Sequence, residues 1–345
     1  MKAVVYRGPE TVEIADIPEP VIADPADAIV EVTRAGICGT DLHLTHTGDG
    51  LAAGNVLGHE FVGVVVAVGA AIRGVRTGDR VAGADFTACG ACWWCRTGDQ
   101  WECPQRSFFG SGTVFGPQLD GAQAELVRVP FADVTLQRLP DELSWDAALF
   151  QGDILATGYS AVRRAQFRPG ATVAVVGGGP VGQMTSQAAQ ASGAGPVVVI
   201  EPVEDRRALA ERCGAIATTP DEARSVIDAL TDGRGADVVV EAVGGSRGLE
   251  TALSVIRRRG ILVSVGVHTD SSWEMPVARA FADELTVSFA IGNAIRHRDE
   301  LAALLSAGVI DPTVIIDNRI GIDDAVAGYD AMRSRRSVKT VIAFD

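Results

Sequence analysis

The sequence predicts two domains, a mainly antiparallel, barrel-like β domain and an α/β domain on a doubly wound parallel sheet. Three observations carry this. A chain of 345 residues is long enough for two real cores. Residues 1–150 are rich in short β-type runs broken by Gly and Pro. From about residue 153, apolar strands alternate with amphipathic helices, the pattern of a parallel sheet with crossover helices.

In the first domain the strand-like runs are "KAVVYRG", "DAIVEVTRAG", "GVVVAVG", "DRVAGAD" and "AELVRVP", with irregular loops between them. In the second, "ATVAVVGGG" is an apolar strand ending in glycines, and "PVGQMTSQAAQASG" is the helix after it. Then "PVVVIE", "EDRRALAERCGA", "DEARSVIDALTD", "ADVVVEAVG", "SRGLETALSVIRRR" and "GILVSVGVH" continue the alternation, the fifth of these read as helix to its end. After "LTVSFAIGN" come a helix ("RDELAALLSAGVI"), mixed structure and a last strand, "KTVIAF".

Composition narrows the partners. Hydrophobic residues make up 47% and charged residues 21%, which describes a globular protein, and the net charge is −14. Lys2 and Lys339 are the only lysines, and no basic stripe exists to hold nucleic acid. An acidic surface repels anionic membranes. The N-terminus alternates like a strand and lacks the apolar core of a signal peptide, and "FVGVVVAVGAAI" is too short to span a bilayer. A cytoplasmic location is expected, and there clustered cysteines point to metal rather than disulfides.

Four of the six cysteines fall together, at Cys89, Cys92, Cys95 and Cys103. The spacing C-x2-C-x2-C-x7-C suits one tetrahedral Zn²⁺ held by four thiolates, a closed and therefore structural site. A loop poor in apolar residues can fold around an ion instead. Arg96 and Arg106 lie nearby in sequence and could offset the site's net negative charge. Cys213 stands apart and reads as a packed helix-end thiol.

A second group lies in "GICGTDLH" and "GHEFVGVVVAVG", which hold Cys38, Thr40, Asp41, His43, His59 and Glu60. Taken singly, Cys38 reads equally as a core thiol or a ligand, and His59 as structural. Flanking glycines let the backbone turn and aim side chains at one point. Spacing does not supply a third ligand. "ATVAVVGGGPVGQM" gives G-x-G-x-x-G through Gly177, Gly179 and Gly182, at the end of a strand and the start of a helix. An acidic residue, Glu201, ends the next strand. This is the context of a dinucleotide fingerprint. The segment Gly177, Gly178, Gly179, Pro180, Val181 and Gly182 then carries the pyrophosphate on the helix N-terminus. Glu201 accepts from the adenosine ribose hydroxyls, unless it is only a strand-end charge. Arg206 lies either along the adenosine or on the helix surface.

In this order, "GICGTDLH", "GHEFVGVVVAVGAAI", the four-cysteine loop and "VVGGGPVG" resemble the zinc-containing alcohol dehydrogenases of the medium-chain dehydrogenase/reductase superfamily. The resemblance spans essentially the whole chain. It implies a GroES-like β domain (1–152, completed by 292–345) and a Rossmann NAD-binding domain (153–291), with the catalytic zinc and nicotinamide in the cleft between. It implies a catalytic zinc on Cys38 and His59, and Asp153 in "FQGDILATGYSA" as third ligand. From the residues alone, Asp153 reads as a helix N-cap. Glu60 matches a residue that exchanges with water as fourth ligand. Thr40 and His43 match a proton relay; taken singly they read as an ST-turn and a solvated loop residue. Backbone near Val243, Val267 and Ile291 is implied to line the nicotinamide, and Phe86 the substrate pocket. His268 and His297 have no role in this reading.

The implied activity is reversible oxidation of a small-molecule alcohol to an aldehyde or ketone with NAD, using two zinc ions per chain. The implied assembly is a homodimer or homotetramer joined through "LTVSFAIGN". Two alternatives stay open, the same site specialised for a polyol or amino-alcohol, and a non-enzymatic NAD(H)-binding relative.

Overall fold

A computed structural model describes residues 1–344. By its contacts the chain divides into two units, Met1–Asp153 with Asn293–Gly308 and Ile316–Asp345, and Ile154–Gly292 with Val309–Ile315. The short piece Val309–Ile315 joins the second unit, where the Asp311 N–H donates to Gln187 Oε1 and Gln187 Nε2 donates to the Asp311 carbonyl.

The first unit opens with β1 (Lys2–Gly8) and β2 (Thr11–Asp16), an antiparallel pair. Then follow β3 (Ala28–Gly36), β4 (Glu60–Val68), β5 (Arg80–Gly83), β6 (Leu126–Val129) and β7 (Leu136–Arg138). The alternation in β3 turns Val30 and Val32 into a core shared with Phe61 and Val65 of β4, Val81 of β5 and Val127 and Val129 of β6. Burying these side chains is the main stabilising term, about 1.5–3 kcal/mol for each large one.

The second unit is a six-stranded, all-parallel sheet. Its strands are β8 (Val173–Val176), β9 (Val197–Ile200), β10 (Ile216–Thr218), β11 (Ala236–Glu241), β12 (Ile256–Ser264) and β13 (Thr286–Phe289). Their order, β10-β9-β8-β11-β12-β13, is the doubly wound 3-2-1-4-5-6 order. Every residue of β8 and β9 is buried, which explains their unbroken apolar sequence. One expected element differs. The helix read through "SVIRRR" stops at Val255, and β12 begins at Ile256. Buried Ile256 pairs with Ala236, and Arg257 binds Asp237 at 2.6 Å, so long-range pairing overrides local helix propensity.

The chain returns to the first unit as β14 (Asn318–Gly321) and β15 (Thr340–Ala343). β15 pairs antiparallel with β3, and β3 pairs antiparallel with β4. In that register Gly36 faces Val341 on one side and Glu60 on the other. The residues at the start of β15 are thereby delivered to the start of β4. Among the described residues no helix is long and apolar enough to cross a membrane.

Candidate metal and dinucleotide sites

Cys38 sits between β3 and the helix Gly39–Thr47, as that helix's N-cap, and its N–H donates to Asp41 Oδ2 at 2.9 Å. His59 and Glu60 stand at the start of β4, and Asp153 precedes the helix Ile154–Ala165. Four sequence-distant side chains converge here. One donor atom from each of Cys38, His59, Glu60 and Asp153 lies within 4.8 Å of the others. Asp153 Oδ2 is 3.4 Å from Cys38 Sγ and 3.2 Å from His59 Nε2.

The surroundings fix these groups. Asp41 Oδ1 lies 3.2 Å from His59 Nδ1, on the side of the ring away from Asp153. Gln123 Nε2 donates to Asp41 Oδ2 at 3.2 Å and to the Gly36 carbonyl at 2.9 Å, and Tyr329 OH donates to Gln123 Oε1 at 2.8 Å. A carboxylate behind a histidine is the usual outer support of a metal ligand, because it sets the ring's tautomer and orientation. Glu60 meets Lys339, which is fully buried, with Nζ 2.7 Å from Oε1 and 2.5 Å from Oε2.

The electrostatics are those of acidic groups crowded and buried around one imidazole. Burial, then Asp153 and Glu60, push the Cys38 thiol up to about 11. Burial pulls His59 down, but Asp41 and then Asp153 outweigh it and raise the imidazole well above its ordinary value. Burial also acts against Asp153, yet its contacts with His59, and Lys339 beyond, hold it at about 2. Burial raises Glu60 to about 7 against the pull of Lys339. Both ring nitrogens of His59 are buried without a well-aligned hydrogen bond. Thiol, imidazole and carboxylate together are the S, N and O donor set of zinc, and a bound Zn²⁺ would satisfy these atoms.

The cysteine loop gathers the second set. The Sγ atoms of Cys89, Cys92, Cys95 and Cys103 all lie within 4.8 Å of one another. The Cys92 N–H donates to Cys89 Sγ and the Cys89 N–H to Cys103 Sγ, both at 3.4 Å. Burial acts against the Cys89 thiolate, but N–H donation from Ala91 and Cys92 lowers it to about 7, while burial raises Cys95 to about 12. Arg106 lies over the Trp101 ring at 4.2 Å, and its charge interacts with Glu102 and Cys103. Cys213 is the C-cap of the helix Glu204–Arg212, apart from both sets.

Thr40 Oγ1 is 3.9 Å from Cys38 Sγ, and His43 lies one helical turn further on the same face. Phe86 is fully buried against Trp101, so it offers no open surface. The wall beside the metal set is instead Phe108, tilted against His59 with ring centres 4.9 Å apart, with half-buried Trp101 and Phe115 behind it.

In the parallel-sheet unit, Gly177 has φ +99 and Gly182 packs against the Gly177 carbonyl, where a Cβ would collide. Pro180 is the first residue of the helix Pro180–Ala191, Gly179 caps it without a side chain, and Val181 follows. Gly178 N–H donates to Glu201 Oε2 at 2.7 Å and Val203 N–H to Oε1 at 2.9 Å, so Glu201 is held rigidly while each oxygen keeps a further acceptor site. Arg206 approaches Gly179, whereas Arg207 is tied to the Glu201 and Pro202 carbonyls. Val243, Val267 and Ile291 are 57%, 56% and 56% exposed, an apolar shelf past the ends of β11, β12 and β13.

The family models for the alcohol dehydrogenase GroES-like domain and for zinc-binding dehydrogenase match residues 24–141 and 180–307. An alcohol dehydrogenase of Cupriavidus necator is 34% identical over 97% of this chain and 96% of its own. The chain belongs to the zinc-containing alcohol dehydrogenase family. The alcohol dehydrogenase TADH from Thermus sp. ATN1 superposes with a TM-score of 0.96 at 38% identity, covering 99% of each chain. A zinc-binding dehydrogenase of Sinorhizobium meliloti, bound to NADP, superposes at 0.87 with 29% identity over 99% of each chain. Family membership makes the protein an oxidoreductase acting on small-molecule substrates, with a GroES-like and a Rossmann unit.

Sequence reasoning did not assign Asp41, Gln123, Tyr329, Lys339 or Asp85. Asp85 is a buried carboxyl raised well above its ordinary value, by burial first and then by Asp153. Only Asp41 left a local signal, three residues after Cys38 in a capping-box position.

Proposed function

We propose that the protein is an NAD-dependent alcohol dehydrogenase with a catalytic zinc on Cys38, His59 and Asp153 and a structural zinc on the four loop cysteines. The convergence of Cys38, His59 and Asp153 on one buried point carries the reading. When bound, the catalytic zinc acts as a Lewis acid that acidifies the substrate hydroxyl. One thiolate, one imidazole and one carboxylate would hold the ion without net charge, the donor set of an open catalytic site. Lys339 neutralises Glu60, so Glu60 adds no net charge unless it leaves its partner. Asp41 keeps His59 in the tautomer that presents Nε2.

Thr40 takes the hydroxyl proton and hands its own to His43, from which it reaches solvent. A nicotinamide bound here would supply the hydride acceptor that lets the alcohol carbon become a carbonyl. The Phe108, Trp101 and Phe115 wall favours an alcohol with an apolar body and keeps water from the reacting atoms. The helix beginning at Pro180 would hold the pyrophosphate, and Val243, Val267 and Ile291 would hold the nicotinamide. An oligomer is part of this reading.

NAD is preferred to NADP because Glu201 cannot swing away. Unit charges 5 Å apart repel by roughly 3 kcal/mol at an effective dielectric near 20. After screening, about ten- to a hundredfold in affinity remains. Arg207 is engaged elsewhere, which leaves Arg206 as the opposing feature. The test is kcat/KM for each cofactor across a panel of alcohols, followed by reduced-cofactor absorbance. NAD-linked oxidation at least tenfold above NADP supports the reading. No oxidation of any alcohol, or a ratio favouring NADP, contradicts it.

A further inference from the structure

His268 lies just beyond β12, and its two ring nitrogens meet different partners. The Gly245 N–H donates to Nδ1 at 3.0 Å, so Nδ1 carries no proton. The proton is therefore on Nε2, which lies 2.7 Å from Ser264 Oγ and donates to it. Ser264 Oγ in turn donates to Glu241 Oε2 at 2.6 Å. Glu241 is fully buried at the end of β11, and its other oxygen, Oε1, accepts the N–H groups of Val243 and Gly244, both at 2.7 Å. The chain of donors closes into a ring around three consecutive backbone N–H groups, those of Val243, Gly244 and Gly245.

Gly244 and Gly245 have φ of +84 and +77, and Gly244 presses on the Val267 carbonyl, where a side chain would collide. Phe289 of β13 stacks edge-on to the His268 ring at 5.6 Å, and Asp270 takes the next N–H, that of Ser246, at 3.1 Å. The residues that the ring fixes, Val243 and Val267, are two of the three exposed apolar residues past the strand ends.

We propose that His268, acting through Ser264 and Glu241, is a positioning residue for the nicotinamide end of the dinucleotide. This rests on the dinucleotide reading above and adds to it. Neutral His268 sets the height of the Val243–Gly245 turn against Val267, and so the shelf on which the nicotinamide lies. It touches neither phosphate nor adenosine, whose sites are Gly177–Gly182 and Glu201.

The test compares NADH with ADP-ribose, which lacks only the nicotinamide, by titration calorimetry on the full chain. His268→Phe keeps a ring but loses both polar contacts. It weakens NADH binding about tenfold and leaves ADP-ribose within about twofold. His268→Asn restores an acceptor toward Gly245 and brings NADH back to within about threefold. Ser264→Ala breaks the same chain from the other side and gives the same selective loss, which keeps the test valid if the Phe variant does not fold. Unchanged NADH binding in His268→Phe and Ser264→Ala, or equal weakening of both ligands, overturns the proposal. Wild-type protein that binds neither ligand overturns the dinucleotide reading itself.

Discussion

Lys339 is one of two lysines in the chain, and it is fully buried with both Nζ contacts on Glu60. A buried ion pair is retained when losing one partner costs more than the pair gains, because the remaining charge has no water to turn to. Lys339→Met should therefore destabilise by about 3–5 kcal/mol. The double variant Lys339→Met, Glu60→Gln should recover most of that loss, since no charge is then left alone. Denaturant unfolding of the zinc-loaded protein reads both, and a single variant as stable as wild type would contradict the account. Nothing local in "RSVKTVIAFD" announces this role. It exists only because β15 pairs with β3 and β3 with β4, which brings position 339 to position 60. The same holds for Tyr329 and Gln123, whose contact joins residues far apart in sequence. Cys38 and His59 drew attention because each sits in a short glycine-flanked stretch, but read singly they did not declare themselves ligands, and their shared point with Asp153 needed the fold or the family resemblance.

At the scale of elements, the cysteine loop was the most legible part, since its four thiols lie within one short segment. Its brace was not legible. Asn293 Nδ2 donates to the Gly98 carbonyl and to Gln100 Oε1, both at 3.1 Å, and Arg296 reaches Asp99 at 3.2 Å. These residues belong to the cap and first turn of the helix Ala294–Ser306, from the late part of the chain. The loop thus has a candidate metal set within it and a helix braced against it from outside. Cys92→Ser should open the metal set, remove one zinc and lower Tm by about 5–10 °C, as expected for a loss of about 3 kcal/mol. Turnover per remaining catalytic zinc should hold at low temperature. Unchanged Tm and unchanged zinc content would show that the loop does not need its ion. In the parallel sheet, the alternation of strands and helices was readable, but the end of the helix before β12 was not. There a buried pairing with Ala236, invisible in local sequence, decided the boundary.

At the scale of the whole molecule, β13 is an edge of the six-stranded sheet, and Phe281 beside it is 85% exposed, with Val277 and Phe289 also exposed. An unpaired edge with apolar neighbours invites a second copy across a two-fold axis. Phe281→Glu should shift the protein toward monomer in light scattering, and a wild-type protein that is already monomeric would contradict this. The central claim concerns the buried set of Cys38, His59 and Asp153. Elemental analysis of wild type and Asp153→Ala, purified without chelator and assayed in parallel for NAD-linked alcohol oxidation and NADH binding, tests it most directly. The account predicts about two zinc ions per chain in wild type and about one in the variant. Turnover should fall by about a hundredfold or more while NADH binding is retained. An Asp153→Ala protein with the full zinc content and wild-type turnover would contradict it.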